Sequence, residues 1–231
     1  MTPATAPFLG VLMLETRFPR LPGDIGHPRT FDFAVRHAVV RSASARRVVQ
    51  PGDPGLLEPF LAAARELVRE GASAITTSCG FLVLYQGALQ AALDVPVWTS
   101  SLLLVPELQA RLGAEGSVGI VTVDAASLAA AHLRAAGADP ETPIEGLAPG
   151  CAFQRALLGD EPGFEAREAE AATVQAAQNL VQRRPDVAAI VLECTNMPPY
   201  AEAVRRATGR PVHDLTTLLR ERYPRIPRAT A

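Results

Sequence analysis

Lysine is absent: all 22 basic residues of the 231-residue chain are arginine. Lysine forms the Schiff base with pyridoxal phosphate and is the cation of the Walker A loop, so composition excludes both chemistries. An excess of charge of one sign is missing as well. The 24 acidic residues against 22 arginines leave a formal charge of −2. Because the arginines are scattered, there is no electrostatic footprint for nucleic acid or an anionic membrane, and neither is expected as a partner. No apolar run reaches the roughly 18 to 20 residues of a bilayer span. Residues 1–7 lack the charged and apolar regions of a signal peptide, so a cytoplasmic protein is expected. Cysteine is scarce, with three residues at wide, irregular spacing. They make no disulfide framework and are expected to be free thiols. His27, His37, His132 and His213 show no converging spacing, and neither Cys-X-X-Cys nor His-Glu-X-X-His occurs, so no metal is expected.

What is present is a core. Nearly half of the chain, 48%, is apolar, enough for one large domain or two small ones. Short apolar runs that read as buried parallel strands recur at residues 8–14, 74–77, 95–98, 118–123, 188–192 and 211–213. Helical spacing lies between them, at 56–70, 128–136, 168–183 and 201–208. Strands alternating with helices predict α/β architecture with parallel sheets.

Sliding the sequence over itself by 115 residues places Cys79 on Cys194, Tyr85 on Tyr200, Pro96 on Pro211 and Val97 on Val212, the signature of an internal repeat. SAITTSCGFLVLYQGALQAALDVPVW answers VAAIVLECTNMPPYAEAVRRATGRPVH, and FLGVLML answers SVGIVTV at an offset of about 108. The expected fold is two pseudo-symmetric α/β halves, each a parallel sheet flanked by helices, with the active site in the cleft between them. Residues 1–100 plus 210–231 form the first half and 101–209 the second. Open parallel sheets bind ligands beyond the carboxyl ends of their strands, so the turns after Cys79 and Cys194 share one crevice.

Each cysteine stands where a buried strand gives way to a helix. A helix N-terminus beside the sulfur is expected to favour the thiolate. Two acid/base groups on opposite faces of one carbon allow one to remove a proton while the other delivers one, which inverts the centre. A lone buried cysteine is usually only a small hydrophobe. Two at strand ends under an ungapped repeat point to a catalytic pair. Cys151, in APGCAF, has no counterpart in the first half and reads as structural, and a tyrosine inside a helix, as at 85 and 200, reads first as packing.

ITTSCG around Cys79, LECTNMP around Cys194 and GIVTVD with Thr122 resemble the aspartate/glutamate racemase superfamily, which includes hydantoin racemases, maleate cis-trans isomerases and arylmalonate decarboxylases. The resemblance implies a cofactor-independent and metal-free enzyme whose partners are a small-molecule carboxylate substrate and a second copy in a homodimer. It implies Cys79 and Cys194 as the thiolate base and thiol acid. It places substrate-binding groups at Ser78, Gly80, Thr122, Thr195 and Asn196. Two departures stand out. Gly80-Phe81 follows the first cysteine where many amino-acid racemases have Asn-Thr, and Glu193 precedes the second where glycine is common.

The loop ETRFPRLPGDIGHPRT follows the first strand at its carboxyl end. Arg17 and Arg20 are candidates to hold a carboxylate and Glu15 or Asp24 to orient an amine, with Glu15 and Arg17 carried forward as site residues. The expected activity is an amino-acid racemase or epimerase type of isomerase, working at a carbon alpha to a carboxylate or carbonyl. Cis-trans isomerisation, decarboxylation and non-catalytic binding of a small molecule are the alternatives.

Overall fold

The structure, a computed structural model, describes residues 6–49 and 54–227. Its strands are β1 (Phe8–Leu14), β2 (Val35–Val40), β3 (Ala72–Thr77), β4 (Val97–Trp98), β5 (Ser117–Thr122), β6 (Ile144–Gly146), β7 (Val187–Leu192) and β8 (Val212–His213). They form two wholly parallel sheets in the orders β2-β1-β3-β4 and β6-β5-β7-β8. The central strands are apolar along most of their length and buried, as parallel strands covered on both faces must be. The α/β architecture in two similar halves is therefore the observed one.

The repeat extends to its irregularities. The β1–β3 register shifts between Phe8 and Leu9, and the β5–β7 register shifts between Ser117 and Val118. Leu9 and Val118 are 109 apart, one more than the sequence comparison suggested. Gly10 and Gly119 are also equivalent, and both lie under a leucine. A Cβ at Gly10 would stand 3.0 Å from Leu67 Cδ1, and one at Gly119 2.7 Å from Leu180 Cδ2. These leucines come from the helices that cover the two sheets, Leu57–Arg69 and Ala166–Arg183. The first buries Phe60, Leu61, Ala64 and Leu67, a stripe at helical spacing.

The apolar pattern does not predict β2 and β6. Both are edge strands. β2 reads Val-Arg-His-Ala-Val-Val and is largely solvent-facing, and β6 is three residues long, so neither carries a buried-strand pattern. The chain after Pro211 also differs from expectation at its start. Val212–His213 pairs with β7 in the second sheet instead of joining the first half. Only the segment beyond His213 crosses back. In the helix Leu215–Arg222, Arg220 Nη2 donates to Thr30 O at 2.7 Å, and beyond it Ser73 Oγ donates to Tyr223 OH at 3.1 Å while the Tyr223 ring lies 4.5 Å from that of Phe33. The helix Val105–Leu112 makes the reciprocal crossing, with Gln109 Oε1 accepting from Val118 N of β5 at 3.0 Å. Each half thus lends its last helix to the other, which clamps the two together.

The returning helix starts at Asp214, whose buried carboxylate accepts from Thr217 N at 2.8 Å and Thr216 Oγ1 at 2.7 Å. Asp214→Ala leaves these donors unpaired and is expected to cost about 1–2 kcal/mol in urea unfolding.

Candidate active site

Both strands that lead to the cysteines end in the same way. Ser78 N donates to Leu12 O at 2.9 Å, and its counterpart Glu193 N donates to Val121 O at 2.8 Å. These bonds hold the end of each strand in register, so the next residue turns out of the sheet at a fixed point. That residue is Cys79 in one half and Cys194 in the other. The chain then enters a short 3-10 turn, Gly80–Tyr85 or Pro198–Tyr200, rather than an α-helix.

The two turns face each other. Thr195 Oγ1 donates across the halves to Ser78 O at 2.7 Å. Gly80, the counterpart of Thr195, lies against Glu193, where a Cβ would sit 2.5 Å from the Glu193 carbonyl oxygen and closer still to its Oε1. Only glycine fits. The space a side chain would need is filled by the Glu193 carboxyl, so the two departures noted in the sequence are one structural feature.

Cys79, Cys194, Ser78, Gly80, Thr195 and Asn196 line one crevice, together with Glu193 and Arg20. Its walls are largely apolar, with Phe18, Phe81, Leu14, Val49 and Leu158 among them. The interior volume is about 30 Å³, room for very few waters. Val49 and Leu158 separate it from an adjoining open hollow of about 490 Å³.

The remaining expected residues lie elsewhere. Thr122 is fully buried behind the crevice, where its hydroxyl donates to Glu193 Oε2 at 2.7 Å. It therefore meets the carboxyl and not the crevice. Glu15 Oε2 accepts from Ser42 N at 2.9 Å in a surface loop. Arg17 is exposed and bridges to Asp160, its Nε 3.1 Å from Oδ2. Both side chains are directed away from the crevice by these partners. Within the same loop Arg20 turns inward, where its Nη1 donates to Asp24 Oδ1 at 3.2 Å and its Nη2 to Thr16 Oγ1 at 3.0 Å. Asp24 is buried and accepts from Asn196 Nδ2 at 2.5 Å. An Arg20–Asp24–Asn196 chain thus links the loop to the second cysteine's turn. Cys151 caps the helix Ala152–Gly159, with Sγ 3.4 Å from Gln154 N. Tyr85 packs near Phe60 at 5.9 Å and Tyr200 near Phe153 at 5.8 Å. Among the described residues no group of three or more His, Cys, Asp or Glu side chains is placed to hold a metal.

The expectation of thiolates favoured by helix ends is corrected by burial. Backbone N–H groups of Phe81 and Leu82 do point at Cys79, and that of Asn196 at Cys194, and each lowers the thiol's pKa. Desolvation outweighs them. It pushes Cys79 up to about 12 and Cys194 well above the ordinary thiol range, with the Glu193 charge adding to both. Cys194 is in the neutral form suited to donate, 3.6 Å from Asn196 Oδ1. Burial likewise raises Glu193 to about 7, the Thr122 bond opposing it.

These features have relatives. The sequence model described as Asp/Glu/Hydantoin racemase matches residues 58–221. The chain belongs to that family. A dimethylsulfoniopropionate lyase of Durusdinium sp. clade D is 33% identical over 216 residues, covering 89% of this chain and 70% of that one. Dimethylsulfoniopropionate lyase 7 of Emiliania huxleyi (strain CCMP1516) is 31% identical over 228 residues, covering 91% of this chain and 64% of its own length. The match thus spans less than two thirds of the second relative. Arylmalonate decarboxylase shares the fold with a TM-score of 0.62 at 16% identity, over 97% of this chain and 94% of its own. The aspartate racemase of Picrophilus torridus does so with a TM-score of 0.54 at 10% identity, over 94% of each chain.

Two measurements check the site's packing and charge. Gly80→Ala forces a Cβ against Glu193 and is expected to destabilise by about 1–3 kcal/mol in denaturant titration. Glu193 titrates higher folded than unfolded, so the stability it contributes is complete below its ordinary value of 4.5 and is lost as pH rises through about 7. Relative to Glu193→Gln, which does not titrate, the wild type should lose melting temperature progressively between about pH 5 and 8.

Proposed function

We propose that this chain is a cofactor-independent lyase in which the Cys79 thiolate removes a proton alpha to a carboxylate and a leaving group departs from the beta carbon. Dimethylsulfoniopropionate is the proposed substrate. The observation that carries the chemistry is the pair of thiols lining one crevice at the ends of equivalent strands. The choice of elimination rests on the kinship with dimethylsulfoniopropionate lyases at 33% identity over 89% of the chain.

Dimethylsulfoniopropionate carries its carboxylate and its sulfonium on adjacent carbons. Removing the alpha proton places an electron pair beside the C–S bond. That bond breaks with its electrons on sulfur, giving dimethyl sulfide and acrylate. Dimethyl sulfide leaves neutral and needs no proton, so a single base suffices. Cys79 suits this role because it keeps some exposure to the crevice, whereas Cys194 is buried. Arg20 supplies a cation at the crevice wall for the carboxylate, with donors beyond those given to Asp24 and Thr16. The turn N–H groups at Phe81 and Leu82 stabilise the charge that develops during proton removal. At about 30 Å³ the crevice has to widen to admit this substrate, and its apolar wall at Phe18 and Phe81 is the side that would then face the two methyl groups.

Cys194 favours a second reading. A neutral thiol in the same crevice is what a racemase needs to return the proton on the opposite face. Racemisation requires both thiols, whereas elimination of a neutral sulfide requires one.

Headspace gas chromatography for dimethyl sulfide, with proton NMR for acrylate, tests the proposal. The wild type is expected to release both in equal amounts. Cys79→Ser should lose about 10²–10⁴ of the rate, and Cys194→Ser considerably less. Absence of release, with inversion and alpha-deuterium uptake on amino acids or hydantoins that both single variants lose, would establish the racemase instead.

A further inference from the structure

The thiols are neutral at rest, yet the chemistry needs a thiolate, so the proton must go somewhere inside a crevice with room for very few waters. Among the described residues, Glu193 Oε1 is a fully buried side-chain oxygen without a hydrogen-bond partner. It lies in the crevice wall that holds both thiols, against Gly80, the neighbour of Cys79. Its other oxygen is fixed by Thr122, so the unpaired one is held in a single orientation. A buried carboxylate oxygen left unpaired costs free energy that a purely structural residue would avoid.

We propose that Glu193 is a positioning residue that stores the active-site proton, taking it from the Cys79 thiol through crevice water and returning it after turnover. This rests on the thiol chemistry proposed above. The transfer is balanced: Cys79 S–H with Glu193 carboxylate becomes Cys79 thiolate with Glu193 carboxylic acid. The site's total charge stays the same. Ionising the thiol to bulk solvent would instead bury a second negative charge beside the first. The charge on Glu193 is part of what holds the Cys79 thiol neutral, and that repulsion disappears when the proton is passed between them. Asp24, the other buried carboxyl linked to this region, is already held by Arg20, Gly26 and Asn196. Arg20 is the cation that faces the thiol and steadies it when ionised. Gly80 and Glu193 are coupled for a reason: a side chain at 80 would displace the carboxyl from this position.

Thiol reactivity tests the inference without any turnover. In a Cys151→Ser background, the alkylation rate of Cys79 by iodoacetamide is followed by peptide mass spectrometry from about pH 5 to 10. With Glu193 as proton store, the single negative charge enters the site as pH rises through about 7, and a fixed share of it resides on sulfur. The rate should rise with that midpoint and reach a plateau. Glu193→Gln removes the group that shares the proton, so the plateau should disappear and the rate should go on rising to about pH 10. Thr122→Val, which removes a bond that lowers the carboxyl's pKa, should move the midpoint upward while the plateau remains. If the wild-type rate climbs through pH 7 without levelling, or the plateau survives in Glu193→Gln, the carboxyl does not share the thiol's proton and the inference is overturned. Loss of lyase activity in every assay with this alkylation pattern intact would reject the proposed reaction and leave the proton store standing.

Discussion

The hydrogen bond from Thr195 Oγ1 to Ser78 O, 2.7 Å across the two halves, joins the ends of two strands that belong to different sheets. It brings the residues beside it, Cys194 and Cys79, to one crevice. Its counterpart on the other side of the pseudo-twofold axis is not a second hydroxyl bond but a close approach of Gly80 to Glu193. The duplicated scaffold is therefore symmetric in backbone and asymmetric in chemistry. One turn carries a hydroxyl and the other makes room for a carboxyl.

That asymmetry is sustained by the rest of the fold. The exchanged helices, Val105–Leu112 and Leu215–Arg222, each reach across to the other half through Gln109 and Arg220. They tie the two halves together around a narrow crevice with room for very few waters. Burial there raises the pKa of the thiols and of the Glu193 carboxyl together. Groups that would be indifferent to one another in water are thereby brought to compete for one proton. The N–H groups of the turns and the Arg20 guanidinium moderate this without overcoming it.

Kinship and geometry speak to different levels of function. Kinship gives the Asp/Glu/Hydantoin racemase family and geometry gives two thiols lining one crevice; carbon-acid chemistry at a carboxylate is the proposal built on both. The outcome after deprotonation depends on whether the substrate has a beta leaving group and whether a second thiol delivers a proton. Here the leaving group proposed is a neutral sulfide, and Cys194 sits deeper than Cys79. The inequality of the two thiols is consistent with unequal duties.

The amino-acid sequence by itself determined the parallel α/β plan, the duplication and the cysteine pair. Uninterrupted apolar strands require burial on both faces, and an ungapped repeat carries equivalent strand ends to equivalent places. It did not reveal β2 and β6, because edge strands are exempt from the burial that makes a strand visible. Nor did it distinguish Arg17 from Arg20 in one loop, or show that the Thr122 hydroxyl serves Glu193 and not a ligand. Those assignments depend on which atoms from distant segments meet: Asp160 for Arg17, Asp24 for Arg20, Glu193 for Thr122. Thiol ionisation was decided the same way. Local position at a turn favours the thiolate, but desolvation is a property of the closed tertiary structure, and it is the larger effect.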